Sequence, residues 1–97
     1  MRRILVEGDS MRPTLEPGDR VVCVRARRVR AGDLVAVHDP RDGRLLVKRV
    51  ATVDPLTVVG DNAEASTDSR AFGALDGDDL VGRVVFRYLP EQRRGRL

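Results

Sequence analysis

Residues 31–50 run Ala31-Gly32-Asp33-Leu34-Val35-Ala36-Val37-His38-Asp39-Pro40-Arg41-Asp42-Gly43-Arg44-Leu45-Leu46-Val47-Lys48-Arg49-Val50, and their reading decides the fold. Two runs rich in Val and Leu flank Asp39-Pro40-Arg41-Asp42-Gly43, whose Asp-Gly pair tolerates the positive φ of a tight turn. The stretch reads as a β-hairpin, with one strand over Leu34–His38 and a return over 44–53. Along the return, successive side chains alternate in direction, so Leu46, Lys48 and Val50 share one face and Leu45, Val47 and Arg49 the other. Lys48 thus has an apolar neighbour on each side, a setting that lowers a lysine pKa by desolvation. Arg49 is left to point to water.

Outward from the hairpin, short Val-rich runs alternate with turn residues and predict a small, mainly β domain. Strands are expected at 4–6, Arg20–Val24, 57–59 and 80–88. Pro17-Gly18-Asp19 and Ala31-Gly32-Asp33 each precede an apolar run, forming a short local repeat of turn plus strand. No segment carries a helical period of useful length. Residues 1–90 are read as one domain, and 91–97 as a polar, Arg-rich tail expected to be disordered.

The chain has 97 residues, 41% apolar and 34% charged, which suits one soluble globular domain rather than a disordered chain. With only two Phe, one Tyr and no Trp, the core must rest on Val and Leu. Cys23, the only cysteine, rules out an internal disulfide and fits a reducing compartment; within Val21-Val22-Cys23-Val24 it reads as a buried hydrophobe. No run approaches the ~20 apolar residues of a spanning helix. Met1-Arg2-Arg3 resembles the start of a leader, but Glu7 interrupts it directly after Ile4-Leu5-Val6. A cytoplasmic location without an integral membrane segment is expected. The net charge is +3, with Arg25, Arg27, Arg28 and Arg30 clustered. No stacking aromatics stand near them, so they read as a solvated loop and no nucleic-acid partner is expected.

The chain holds seventeen arginines and the single lysine, Lys48. A desolvated lysine can lose its proton near neutral pH and arginine cannot. An arginine-biased chain also leaves one lysine by chance, and composition alone favours that reading. Upstream, Ser10 stands before the Pro-fixed turn Met11-Arg12-Pro13-Thr14-Leu15, a perch suited to a nucleophile that needs a base. The only histidine, His38, sits at a hairpin end and reads as a surface residue. One His and one Cys make a zinc site improbable, Asp76, Asp78 and Asp79 read as an exposed loop, and no metal or cofactor is expected. The segment 60–73, Gly60-Asp61-Asn62-Ala63-Glu64-Ala65-Ser66-Thr67-Asp68-Ser69-Arg70-Ala71-Phe72-Gly73, is dense in hydrogen-bonding groups. Alone it reads as an ordinary polar loop.

Taken in order, GDSMRPTLEPGDRVV, RAGDLVAVHDP, LLVKRV and VVGDNAEASTDSRAFG resemble the type I signal peptidase family and its LexA-like relatives over about residues 5–86. The resemblance implies coiled, partly barrel-like antiparallel sheets and a serine endopeptidase with a Ser–Lys dyad. It matches Ser10 to the nucleophile, Lys48 to the general base and Ser66 to the serine that orients the lysine. It matches Asp68 and Arg70 to a supporting pair, Gly60, Asp61 and Asn62 to a supporting turn, and Met11, Pro13 and Leu15 to the nucleophile turn. Gly8 offers no hydroxyl where some relatives carry a second oxyanion donor. The ending LVGRVVFRYLP and the small size look most like the soluble proteases that mature nickel superoxide dismutase. The implied partner is a protein with an extended N-terminal segment, with pro-form nickel superoxide dismutase as the narrower candidate. The alternatives are a minimal signal peptidase acting at the membrane surface with a partner, and a catalytically silent binding module.

Overall fold

The 31–50 stretch folds as the hairpin it reads as. In the computed structural model, which describes residues 1–97, strand β3 (Leu34–His38) pairs antiparallel with β4 (Leu45–Val53), placing Val35 opposite Lys48 and Leu34 opposite Arg49. Gly43 closes the turn at φ +77°. The other strands are β1 (Arg2–Leu5), β2 (Arg20–Val24), β5 (Leu56–Val59), β6 (Leu80–Leu89) and β7 (Gly95–Arg96). All seven join one antiparallel sheet in the order β1-β2-β6-β3-β4-β5, with β7 on β6.

The two Gly-Asp units are equivalent in three dimensions. Gly18 and Gly32 have φ of +92° and +95°, which only glycine adopts without strain. The Asp19 and Asp33 carboxylates each accept the N–H three residues upstream, from Glu16 and Arg30, at 2.9 Å. Each unit then launches a strand. Asp19 lies deeper, with 2% exposure, because Arg87 and Arg93 also close on it.

β3 is buried on both faces, and its alternation divides the core. Leu34 and Ala36 join Ile4, Val21, Cys23 and Val84, with Leu45 and Val47 of β4 packed alongside. Val35 and Val37 join Val50, Val58 and Leu75, against which Leu46 packs. Three strands separate β1 from β4 along the sheet, so a flat sheet would hold them about 19 Å apart at ~4.8 Å per strand. Instead Ile4 and Leu45 line one cleft of about 60 Å³. The sheet is therefore coiled until its first edge approaches β4. Register shifts in the β2–β6, β3–β6 and β4–β5 pairings supply the bending that bulges produce.

The expected disordered tail is ordered instead. Glu91–Arg93 forms a 3-10 turn, and β7 pairs Arg96 with Phe86 and Gly95 with Arg87. Arg93 Nη1 donates to Asp19 Oδ1 at 3.0 Å, so the charge that suggested disorder is the tail's anchor. The long connection from β5 back to β6 carries the 60–73 segment and lays Phe72 and Leu75 over the β3–β5 face.

Candidate active site

The turn after β1 is closed by reciprocal bonds, Val6 N–H to Asp19 O and Gly18 N–H to Val6 O, both 2.8 Å. Within it, Met11 and Leu15 are buried at 2% and 0% exposure and anchor the turn in the core, while Pro13 stays outside. Ser10 is held half-buried at its start. The Gly60-Asp61-Asn62 turn fastens this segment from the other side. Asn62 N–H donates to Ser10 O at 2.8 Å, Asn62 Nδ2 to Asp9 O at 3.2 Å, and Thr14 Oγ1 to Asp61 Oδ2 at 2.5 Å. Gly60 is the closest joint. A Cβ added there would lie 2.3 Å from Ser66 Oγ and 2.6 Å from Ser10 O, so only glycine lets the two serine segments approach.

Lys48 is 3% exposed, on the Leu46–Val50 side of β4 as the alternation predicts. Its Nζ donates to Ser66 Oγ at 3.1 Å, and Ser66 Oγ donates to Asp68 Oδ2 at 2.7 Å. The Asp68 carboxylate, 1% exposed, also accepts Gly60 N–H at 2.9 Å and a fork from Arg70, with Nε at 2.9 Å and Nη2 at 2.6 Å. Its Oδ1 caps the short helix α1 (Ser69–Phe72) by accepting Arg70 N–H. Burial pushes the Asp68 carboxyl up, but the bonds from Arg70, Gly60 and Ser66 outweigh it and hold the group well below the usual carboxylate range. Lys48 moves down from the ordinary lysine value, chiefly by burial; Asp68 opposes the shift, and the Arg44 and Arg70 charges assist it.

Ser10 and Lys48 line the same two clefts. One, about 60 Å³, has walls from β1 and β4; the other, about 330 Å³, opens past Glu7, Asp9, Arg44 and Thr67. In this structure the Lys48 amine hydrogen-bonds Ser66 rather than Ser10. The arrangement thus brings together a hydroxyl on a braced turn, a desolvated amine and an ionised carboxylate behind it.

Arg49 corrects the sequence reading. It is half-buried rather than solvated, with Nε and Nη2 on the Asp61 carboxylate at 2.8 Å each and Nη1 on Gly32 O at 2.8 Å. Alternation predicted its face correctly, but the loops before β3 and after β5 cover that face. Arg49 thereby ties β4 to the Asp61–Thr14 bond of the Ser10 turn, a role the sequence reading missed along with that of Thr14. The available signal was an Arg sharing its face with Leu45 and Val47, a position that calls for a partner. Asp61 itself is held below the usual carboxylate range, first by Arg49, with Thr14 adding to it against burial.

The remaining candidates lie elsewhere. His38 bonds Gly43 O through Nδ1 at 3.0 Å in the hairpin. Cys23 is core, and burial raises its thiol pKa. Asp76 and Asp79 form a capping box on a 3-10 turn.

The model of the family described as signal peptidase, peptidase S26, matches residues 1–58 and 52–89, together nearly the whole chain. A signal peptidase IB of Staphylococcus aureus (strain Mu50) is 61% identical over 33 residues, which is 34% of this chain and 17% of the relative. Its counterpart in strain N315 matches to the same extent. A probable signal peptidase I-1 of Synechocystis sp. is 25% identical over 143 aligned positions, covering 95% of this chain and 73% of that protein. The chain spans about a sixth of the Staphylococcus proteins it matches. With the family model matched across both serine segments and the lysine strand, the chain belongs to the signal peptidase S26 family of serine peptidases.

Proposed function

We propose that this chain is a serine endopeptidase in which Ser10 Oγ is the nucleophile and neutral Lys48 Nζ its general base. One observation carries the reading: the only lysine is buried, held by Ser66, and opens onto the clefts that Ser10 lines. Because Ser66 donates its proton to Asp68, its oxygen accepts from the amine, and the amine lone pair stays free for Ser10. In the first half-reaction Ser10 Oγ attacks the scissile carbonyl while its proton passes to Lys48. The lysine then protonates the leaving amine, and an acyl-enzyme remains. Water attacks the ester, gives its proton to Lys48, and Ser10 is regenerated on release of the acid. The Ser10 N–H has no partner within the chain, and this reading assigns it as a donor to the oxyanion.

The substrate of this reading is an extended N-terminal propeptide or leader of another protein. β1 is an edge strand whose only partner is β2, and it borders the Ser10 cleft, so the segment docks there by strand addition. The likeness to the soluble maturation proteases makes pro-form nickel superoxide dismutase the substrate to test. Purified chain is incubated with that pro-form and the new amino terminus is read by mass spectrometry, with Ser10→Ala as the control. One defined cleavage, absent with the variant, is expected. Equal cleavage by Ser10→Ala removes the dyad; no cleavage of the pro-form by an enzyme that cleaves other extended peptides removes the narrower substrate.

A further inference from the structure

Away from Ser10, two clefts of about 490 and 600 Å³ meet at Asp33 and Arg83 and form one groove along β6. Arg28, Arg30 and Arg96 also line it. All four of these arginines are exposed, and none forms an ion pair within the chain. Asp33 is the one acidic side chain in the groove and already accepts Arg30 N–H. Arg49 forms a further wall, but Asp61 neutralises it. Four arginines from the β2–β3 loop, β6 and β7 thus line the groove against one acidic side chain. Such a field repels itself and is relieved by an anionic occupant.

The floor narrows the choice of occupant. Leu34 and Val84 are buried beneath it, and Phe86 is half-buried with the Arg94 guanidinium 5.8 Å over its ring. An apolar floor under a guanidinium rim matches a peptide that alternates acidic and apolar side chains, since guanidinium pairs bidentately with carboxylate. A single-stranded nucleic acid needs open aromatic faces to stack on, and the one ring here is half-buried with Arg94 over it. We infer that this groove is a docking site, distinct from the Ser10 cleft, for an acidic, apolar-containing segment of a protein partner. That the partner is the substrate rests on the peptidase reading. The molecule extends 36 Å along its longest principal axis, a straight span that about eleven extended residues at ~3.3 Å each cover.

The probe is a fluorescein-labelled peptide of alternating Glu and Leu, with binding to the intact chain followed by fluorescence anisotropy. The unaltered chain and Ser10→Ala should bind it equally, with affinity falling as salt is raised. Arg28→Glu/Arg83→Glu should weaken binding by about ten-fold or more, and the milder Arg28→Gln/Arg83→Gln should weaken it in the same direction. A Lys-Leu peptide should not bind. An unchanged Kd in both double variants, or no binding by the unaltered chain, overturns the inference. Tighter binding of a DNA oligonucleotide that displaces the peptide also overturns it, in favour of a nucleic-acid surface. None of these readouts needs cleavage, so an inert chain that still binds the peptide removes the peptidase reading and leaves the groove standing.

Discussion

Gly60→Ala is the sharpest test of the site, because its effect follows from space alone. Gly60 has no positive φ, so alanine meets no backbone penalty there; it meets Ser66 Oγ at 2.3 Å, Ser66 Cβ at 2.5 Å and Ser10 O at 2.6 Å. Ordinary contacts of this kind lie near 3.5–4.0 Å, so one or both serine segments must retreat by about 1 Å. Overpacking of this kind costs about 1–3 kcal/mol, and each kcal/mol lowers the Tm of a domain this size by about 4–8 °C. A shift of ~1 Å between reacting groups costs about 10²-fold in rate. The expected variant is thus folded at room temperature, melts roughly 4–24 °C lower, and is slower by about two orders of magnitude in single-turnover cleavage. The rate loss should persist far below the melting temperature. A folded variant with near-normal turnover would show that the Ser10–Ser66 approach does not set the rate.

Lys48→Arg should be inactive and less stable, since a larger permanent cation enters a site with 3% exposure, whereas Lys48→Met should be inactive with an equal or higher Tm; turnover by either removes the lysine from the mechanism. Ser66→Ala should cut turnover with little change in Tm, but Asp68→Ala should lower stability by about 1–3 kcal/mol because it strands the Gly60 N–H; thermal melts showing the reverse would exchange their roles. Single-turnover rate should rise with pH to a midpoint below the ordinary lysine value of ~10.4. Because folding depresses the Lys48 pKa, stability should fall as pH drops from the unfolded value through the folded one; a rate midpoint at or above the ordinary value refutes the desolvated base. Arg93→Ala should cost about 1–2 kcal/mol through the loss of its bond to Asp19, checked by urea denaturation; an unchanged midpoint would mean the tail is not anchored by that pair.

The sequence made the strands legible because a local pattern, short Val-rich runs bounded by turn residues, marks them, and alternation along a strand then assigns the faces. Leu34–His38 and Arg20–Val24 fall where that pattern puts them, and Lys48 lies on the predicted face. What stayed hidden was set by partners remote in the chain. Arg49 looked solvated until Asp61 and Gly32 O closed on it, and the polar tail looked disordered until Arg93 met an aspartate 74 positions away. Local polarity signals water only where nothing folds back to satisfy it. The segment 60–73 is the intermediate case: the family resemblance matched its residues, yet only the coordinates show that the Gly60 N–H and Ser66 hydroxyl converge on one Asp68 oxygen.

That convergence fixes a proton direction on which the proposed chemistry depends. An ionised carboxylate only accepts, so Ser66 must donate to Asp68 and turn its oxygen to the lysine. Were Asp68 protonated, Ser66 would be free to donate to the neutral amine and occupy the lone pair that Ser10 needs. Keeping a carboxyl ionised at 1% exposure requires compensation, which the Arg70 fork and the Gly60 N–H supply. Asp68 alone would also attract a proton to Lys48, working against a neutral base. Burial is the largest influence on the lysine's protonation, and Arg44 and then Arg70 oppose the Asp68 field there. The pair thus holds the hydrogen-bond polarity that an anion enforces while limiting the charge that would protonate the amine. A neutral acceptor in place of Asp68 would remove the unwanted field, but it would no longer compel Ser66 to face the lysine with its oxygen.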